Sequence, residues 1–354
     1  MGIQTDTDGI LDLLICPGFC VKDNQIIRVN QAASAMLLTI GTDVRSLLLT
    51  GAEEYADFQG GCLYLKLNLT EDGWGASVTR REDGDYFLLD QPSADDALRA
   101  LALAARELRS AMAGTILSAD QLSQQVSPDN IQAAEQLARL NQGLHKTLRI
   151  IGNMSDADGW PHQNRQEIRE IGGILREIFE KARTLMASAD IQLTYAGIRE
   201  DIYTLIDREQ LERAILNILS NAMKFTPKCG KIQASLSRRG KILRLSILDS
   251  GSGIPEDVRG TLFSRYLRQG AIEDSRYGLG LGMVMIRAAA AAHGGTVLVD
   301  QPETGGTRVT LTLAIRQDNG SRLRSPLLTP DYAGEWDHAL LELADCLPYT
   351  LYQK

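Results

Sequence analysis

The sequence has few of the residues that form disulfides, bind metal ions or supply large aromatic side chains. Its 354 residues include five cysteines, four histidines and 5% aromatic side chains. Cysteines that are odd in number and sparse predict reduced thiols rather than a disulfide framework. Cys16 and Cys20 lack the second Cys or His pair of a structural zinc site. We therefore expect the cysteines to pack in apolar surroundings.

The chain also lacks a long apolar run and a basic character. No stretch approaches the roughly 18 apolar residues that span a bilayer, and the first residues lack the basic and then apolar plan of a signal peptide. The net charge is −8, whereas nucleic acids and anionic lipids attract basic surfaces. These absences predict a cytoplasmic protein without a membrane span or a nucleic-acid partner.

Four regions follow one another, and together they predict a multidomain α+β protein. Residues 1–95 carry short β-rich runs, which predict a small α+β domain. Residues 96–160 hold two amphipathic helices around a Pro-containing break, which predicts an antiparallel hairpin. Residues 161–316 alternate strands and helices, as a layered α/β domain does. Residues 317–354 contain a short appended helix that we expect to dock on the body.

The two helices of the hairpin each have an apolar face. In the first helix a heptad seam consists of Leu98, Leu101, Ala105, Leu108, Met112, Thr115, Ala119 and Leu122. In the second helix the face consists of Leu137, Leu140, Leu144, Leu148 and Ile151. Two such hairpins would bury their remaining apolar surface by pairing into a four-helix bundle, which predicts a homodimer.

A polar stripe marks the helix predicted over 208–225. Asn217, Asn221 and Lys224 are spaced four and three residues apart, so their side chains lie on one stripe. Two amide oxygens and an ammonium suit a magnesium-bound phosphate, although a solvated helix face has the same composition.

Two glycine-rich motifs follow this helix. The stretch "LDSGSGIP" puts Asp249 at the end of an apolar strand, and glycines there let a flat ligand approach the backbone, as they also would in a plain tight turn. The stretch "YGLGLGM" opens a helix, whose unpaired N–H groups can face a bound anion.

In this order the motifs resemble the nucleotide-binding domain shared by histidine kinases, gyrase-type ATPases and Hsp90-like chaperones. "NILSNAMKF" resembles the N box, "DSGSGIP" the G1 box, "LFSRY" the F box and "GLGLGM" the G2 box. The resemblance implies a two-layer α/β sandwich that binds ATP and Mg²⁺. By it, Asn217 and Asn221 would face magnesium and phosphate, Lys224 a phosphate and Asp249 the adenine amino group. The other implied pocket residues are Phe225, Gly251, Gly253, Ile254, Gly278, Leu279, Gly280 and Leu281.

Asn217 and the hairpin discriminate within this superfamily. Gyrase-like and Hsp90-like members use a Glu at the position of Asn217 as the general base for water, and a carboxamide cannot take a proton. Histidine kinases have Asn there and place a dimerisation hairpin before the domain. The resemblance therefore favours a histidine kinase over a stand-alone ATPase.

The first hairpin helix departs from the histidine kinase pattern at its central residue. The family's H box has the form His-Glu-Leu-Arg-Thr-Pro-Leu, and this chain has Arg106 in the place of the phosphoacceptor His, followed by Glu107. A guanidinium is always protonated and has no lone pair with which to attack a phosphoryl group. This argues against autophosphorylation at Arg106. His145, across the hairpin, qualifies as an acceptor only if it is exposed.

The first region resembles a PAS sensor module through "GFCVKDNQIIRVNQAASAML", with no visible ligand set. The whole chain thus resembles a two-component signalling protein. One interpretation is an active kinase, which uses an unconventional acceptor or phosphorylates another protein in trans. The other is a pseudokinase. The pseudokinase would dock a response regulator or a partner kinase.

Overall fold

The computed structural model describes residues 11, 16–70, 73–90, 94–127, 129–156, 166–255, 262–263, 281–316 and 336–353. Within these ranges, no helix is long and apolar enough to cross a membrane. The same residues contain no cluster of three or more His, Cys, Asp or Glu side chains that could hold a metal ion.

The first region is a five-stranded antiparallel sheet with short helices. Its strands are β1 (Gly18–Lys22), β2 (Gln25–Val29), β3 (Cys62–Leu67), β4 (Trp74–Arg81) and β5 (Gly84–Leu89), and its helices are α1 (Gln31–Ser34) and α2 (Ala52–Ala56). Asp23 and Asn24 both have positive φ and form the two-residue turn between β1 and β2. The buried Asn30 side chain caps α1 and accepts from Gly18 N at 3.0 Å, so this residue is structural.

The hairpin consists of α3 (Ala94–Gln125) and α4 (Ile131–Asp156). The predicted seam of α3 is partly wrong. Ala105 and Ala119 are buried, but Leu108, Thr115 and Leu122 are exposed. The more buried stripe of α3 is shifted by about one residue at alternate positions and includes Ala102, Ala105 and Ala119.

The third region is a helical layer against strands. It contains β6 (Glu167–Glu170), α5 (Ile171–Ala187), β7 (Gln192–Ala196), β8 (Tyr203–Ile206), α6 (Arg208–Phe225), β9 (Lys231–Arg239), β10 (Ile242–Asp249), α7 (Leu281–Ala292), β11 (Val297–Asp300) and β12 (Arg308–Ala314). The sequence from about residue 166 to 188 is typical of one helix, but its first residues form a strand instead. Residues 167–170 pair with β8, and the Glu170 side chain then caps α5 by accepting from Gly172 N and Gly173 N.

The sheets of the first and third regions are continuous. Ten strands follow in the order β2-β1-β5-β4-β3-β11-β12-β10-β9-β7, and β3 pairs antiparallel with β11. Gly61 precedes this junction with a φ of +92°, and a Cβ there would lie 2.3 Å from the Val299 carbonyl oxygen. The backbones therefore approach closely where the two regions meet. No sequence motif predicts this pairing.

A buried arginine on α7 reinforces the same junction. The fully buried Arg287 pairs with Asp90, just after β5, at 3.0 Å and lies 4.6 Å from the centre of the Tyr64 ring. It also donates to the carbonyl oxygen of Phe263, in the predicted F box, at 2.9 Å. One cation thus ties the first sheet, the strand junction and the F box together.

The last described segment docks on the body, as predicted. Residues 336–353 contain α8 (His338–Glu342) and a 3-10 turn (Tyr349–Tyr352), and α8 packs on α4, α5 and α6. Leu341, Leu343 and Leu347 are buried in this contact.

Candidate functional site

The N-box helix α6 is positioned at its first turn. The Asp207 side chain accepts from Gln210 N at 3.0 Å, which caps the helix. The Asp207 backbone N–H donates to His293 Nε2 at 3.1 Å, and His293 Nδ1 faces the Ala289 carbonyl at 2.7 Å. Burial lowers the pKa of His293. The neutral ring therefore serves as a structural link between α6 and α7.

Asn217 lies where α6 meets the helix of the predicted G2 box. It is 1% exposed, and its Nδ2 donates to the Arg213 carbonyl at 2.9 Å and to Glu342 Oε2 at 3.3 Å. Its Oδ1 is buried without a hydrogen-bond partner among the described residues. A Cβ on Gly282 would lie 3.0 Å from this oxygen. The side-chain oxygen therefore faces the start of α7, and an unsatisfied buried oxygen is costly to keep.

The two other residues of the stripe are less buried than Asn217. Asn221 and Lys224 are half-buried, as is Phe225 at the end of α6. Lys224 Nζ lies 3.0 Å from Asp345 Oδ2, so the ammonium is paired with a carboxylate of the last segment. The predicted stripe is present, but part of it is covered.

Asp249 ends β10 as a buried carboxylate. Its Oδ1 accepts from Gly251 N at 2.8 Å and from Thr307 N at 3.1 Å. Burial is the main cause that raises the pKa of Asp249, while these hydrogen bonds oppose it. The fold thus holds a carboxylate in a place that penalises its charge, which is typical of functional sites.

Glycines bring the G1 motif against its neighbours. A Cβ on Gly251 would lie 2.6 Å from the Phe225 carbonyl oxygen, and one on Gly306 would lie 1.9 Å from the Asp249 carbonyl oxygen. Gly253 has a φ of +79°, and Ile254 lines a cavity of about 530 Å³ beside it. The end of the N box and the G1 motif therefore meet through close backbone contact.

Part of the predicted G2 box lies outside the described residues. This holds for Gly278, Leu279 and Gly280, whereas the half-buried Leu281 is the first residue of α7.

The H-box residues of α3 lie close to the N-box helix. Arg106 and Glu107 are exposed, as the position of Arg106 outside the seam predicts. Two guanidinium groups lie beside Gly152 on α4, since a Cβ there would be in ordinary contact with Arg109 Nη2 and Arg213 Nη2, at 3.6 Å from each. The structure thus brings the helix of Arg106 near the helix of Asn217.

His145 does not meet the condition for a phosphate acceptor. It is buried, its Nδ1 lies 2.8 Å from the Asn141 carbonyl, and its ring makes edge contacts with Trp336 and Tyr352 at centroid distances of 4.2 and 4.7 Å. The sequence did not predict the aromatic rings that cover it.

Four charged residues at the site escaped the sequence reasoning. An ion-pair network consists of Arg149 on α4, Arg213 on α6, and Glu342 and Asp345 in the last segment, and all of these except Asp345 are buried. The sequence predicted only that the helix within residues 317–354 docks on the body, and nothing in the local sequence pattern pairs residues so far apart.

Known proteins match this arrangement. The family model described as "Histidine kinase-, DNA gyrase B-, and HSP90-like ATPase" matches residues 206–317. The adaptive-response sensory kinase SasA of Prochlorococcus marinus (strain MIT 9303) is 28% identical over 249 residues, covering 69% of this chain and 64% of that kinase. The sensor histidine kinase WalK of Bacillus subtilis (strain 168) is 31% identical over 121 residues, covering 33% of this chain and 20% of that kinase.

A solved structure agrees in fold. Full-length ShkA in complex with AMPPNP matches with a TM-score of 0.50 and 21% identity, over 62% of this chain and 47% of that one. The fold and motifs define a protein with a histidine kinase-type ATPase domain. The match at residues 206–317 is to the ATPase domain that histidine kinases share with DNA gyrase B and HSP90, and the chain is similar to sensor histidine kinases. It spans less than two thirds of the length of both SasA and WalK.

Proposed function

We propose that this chain is a two-component signalling protein that binds ATP with Mg²⁺ between α6, the end of β10 and the start of α7. The observation that carries the proposal is the buried Asp249 carboxylate, held by two backbone N–H groups beside the N-box helix. A carboxylate fixed in this way can accept a hydrogen bond from an adenine amino group.

The residues present suit a magnesium-bound phosphate. The orphaned Oδ1 of Asn217 is a neutral oxygen of the kind that coordinates Mg²⁺ or accepts hydrogen bonds from its bound waters, and Asn221 adds a second one a turn away. Lys224 would hold a phosphate oxygen through its ammonium. Bound ATP would supply a transferable phosphoryl group. The chain itself would orient the nucleotide through Asp249 and the glycines of the G1 and G2 motifs.

The finer proposal is that the chain does not phosphorylate itself at position 106. Arg106 is exposed on the H-box helix and carries no nucleophilic lone pair. His145 is buried and does not replace it. We infer a pseudokinase whose nucleotide state sets its shape and whose hairpin docks a response regulator or a partner kinase. The competing candidate is an active kinase that phosphorylates another protein, with Glu107 as the surviving H-box acid.

Nucleotide binding is tested by Asp249→Asn. The amide keeps an oxygen for Gly251 N and Thr307 N but removes the charge, so we expect calorimetry to show MgADP affinity reduced roughly 10- to 100-fold. Because burial raises the pKa of Asp249, its charge opposes folding at neutral pH, and the variant's free energy of unfolding at pH 7 should not fall. Equal affinity of both proteins, or no binding by the folded wild type, contradicts the proposal.

Phosphoryl transfer is tested with γ-labelled ATP and magnesium. We expect the wild type to bind nucleotide without retaining acid-labile label, and Arg106→His to gain label at position 106 if the remaining machinery is intact. Matched incubation with the Asp249→Asn, Arg106→His double variant controls for transfer independent of the site. Acid-labile label on the wild-type chain would refute the pseudokinase proposal.

A further inference from the structure

Residues Trp336–Gln353, which we name the clamp segment, lie between the hairpin and the helical layer of the ATPase region. The Asn141 side-chain amide donates to the Tyr352 carbonyl at 3.2 Å. The Gln142 side-chain amide donates to the carbonyls of Ala344 at 3.1 Å and Leu347 at 2.6 Å. The clamp segment is therefore held on α4 by directional contacts as well as by apolar burial.

Glu342 is the innermost residue of the clamp segment. Its side chain is fully buried. Its Oε1 lies 3.3 Å from Arg213 Nε, and its Oε2 lies 3.3 Å from both Arg149 Nε and Asn217 Nδ2. One carboxylate thus joins the hairpin, the N-box helix and the residue at the centre of the N box.

Asp345, one turn further on, faces the other end of the polar stripe. Its Oδ2 lies 3.0 Å from Lys224 Nζ, and it also pairs with Arg149. Arg149 and Lys224 hold the pKa of Asp345 below its usual range, against the partial loss of solvent around the carboxylate. The carboxylate is therefore charged at neutral pH. It pairs with the Lys224 ammonium, to which a phosphate would bind.

We propose that the clamp segment is a built-in competitor for the phosphate end of the nucleotide site. It rests on the proposed function, because the competition requires that nucleotide binds at the N box. A phosphate oxygen and the Asp345 carboxylate are both anions that seek the Lys224 ammonium, so one has to displace the other. Glu342 acts alongside by engaging the Asn217 amide nitrogen.

The alternative of Glu342 as a replacement general base does not fit its contacts. It does stand beside Asn217, where related ATPases have a catalytic Glu by the resemblance stated above. Two guanidinium groups and an amide already donate to its two oxygens. A carboxylate held in this way is a weak proton acceptor, because taking a proton would leave Arg149 and Arg213 buried without their counterion.

Competition also links the nucleotide site to the hairpin. Arg149 belongs to α4, so the anions that cover Asn217 and Lys224 also attach the N-box helix to the hairpin. Displacing Asp345 removes one of these ties. By thermodynamic reciprocity, nucleotide then weakens clamp docking by the factor by which the docked clamp weakens nucleotide binding.

The test is the full chain with Asp345→Asn. This change removes the charge that pairs with Lys224 and keeps Glu342 in place. We expect MgADP to bind about five- to tenfold more tightly in calorimetry, because a larger fraction of the protein is competent to bind. The matched control is Asp43→Asn, an exposed carboxylate that pairs with Arg45 in the first region, and its affinity should equal that of the wild type. Unchanged or weaker affinity of Asp345→Asn overturns the proposal.

Hydrogen exchange supplies a second readout. The amides of Leu341, Leu343 and Leu347 donate to backbone carbonyls within the clamp segment. Saturating MgADP should accelerate their exchange in the wild type, and Asp345→Asn should exchange faster before nucleotide is added. Unchanged protection with bound MgADP overturns the competition alone. An absence of binding heat in the wild type, Asp345→Asn and Asp43→Asn refutes the proposed function itself.

Discussion

Asp249 and Asn217 are buried polar residues whose burial works against stability. Burial raises the pKa of Asp249 and leaves Asn217 Oδ1 without a partner among the described residues. A fold selected for stability alone would have apolar side chains at both positions. The sequence spacing predicted that Asn217, Asn221 and Lys224 share a stripe, and the structure adds that they differ in burial.

Substitutions at the two glycines before β12 distinguish the cost of a strained backbone from the cost of a steric clash. Gly305 and Gly306 both have positive φ, at +84° and +79°, but a Cβ on Gly305 meets nothing within 4 Å whereas one on Gly306 would lie 1.9 Å from the Asp249 carbonyl oxygen. We expect Gly305→Ala to lower the free energy of unfolding by about 1 kcal/mol. Gly306→Ala should lower it by at least about 2 kcal/mol more. Urea denaturation measures both, and equal losses would contradict this assignment.

At the scale of elements, neighbours outside the local sequence decide which helix faces are buried. On α4 the predicted apolar residues Leu137, Leu144 and Ile151 are buried, whereas the predicted Leu140 is 44% exposed. The polar Asn141 and His145 are buried as well, because the clamp segment covers them. Periodicity identifies apolar positions and does not show that polar positions beside them are also covered.

The junction between the first sheet and α7 depends on the Arg287–Asp90 pair. Asp90→Asn keeps the shape but leaves the buried guanidinium without its counterion, so we expect a loss of about 1 to 2 kcal/mol, moderated because the Asp90 side chain is 37% exposed. In the Arg287→Met background the same change should have less than about half that effect. Thermal or urea unfolding of the wild type, the two single variants and the double variant measures the coupling free energy between Asp90 and Arg287. Equal losses in both backgrounds would show that the pair does not stabilise the junction.

At the scale of the whole molecule, the hairpin has apolar residues that the single chain leaves uncovered. On α3, Leu103 is 61% and Leu117 is 58% exposed, and Leu108 and Leu122 are also exposed. Leu103 and Leu117 lie two heptads apart on one face of α3, and Leu108 and Leu122 lie two heptads apart on another. Exposed apolar faces along a hairpin are what a four-helix bundle between two chains would bury. We keep the homodimer as a prediction on this basis.

Light scattering tests the dimer. The wild type should have the mass of two chains, and Leu103→Asp with Leu117→Asp should have the mass of one, because buried carboxylates without partners oppose association. The matched control is Ile40→Asp, at a residue of the first region that is 66% exposed, and it should stay dimeric. A monomeric wild type at micromolar concentration would contradict the prediction.

The sequence by itself predicted the ATPase domain with its N and G1 motifs, the helical hairpin, and an arginine at position 106 where the resemblance to the H box implies a histidine. These follow from local spacing and residue chemistry, which need no knowledge of distant neighbours. Only the tertiary structure decided the ten-stranded sheet through β3 and β11, the burial of His145, and the capture of Asn217 and Lys224 by Glu342 and Asp345. These depend on backbone pairing and on charges more than a hundred residues apart, and such contacts leave no periodic pattern along the chain.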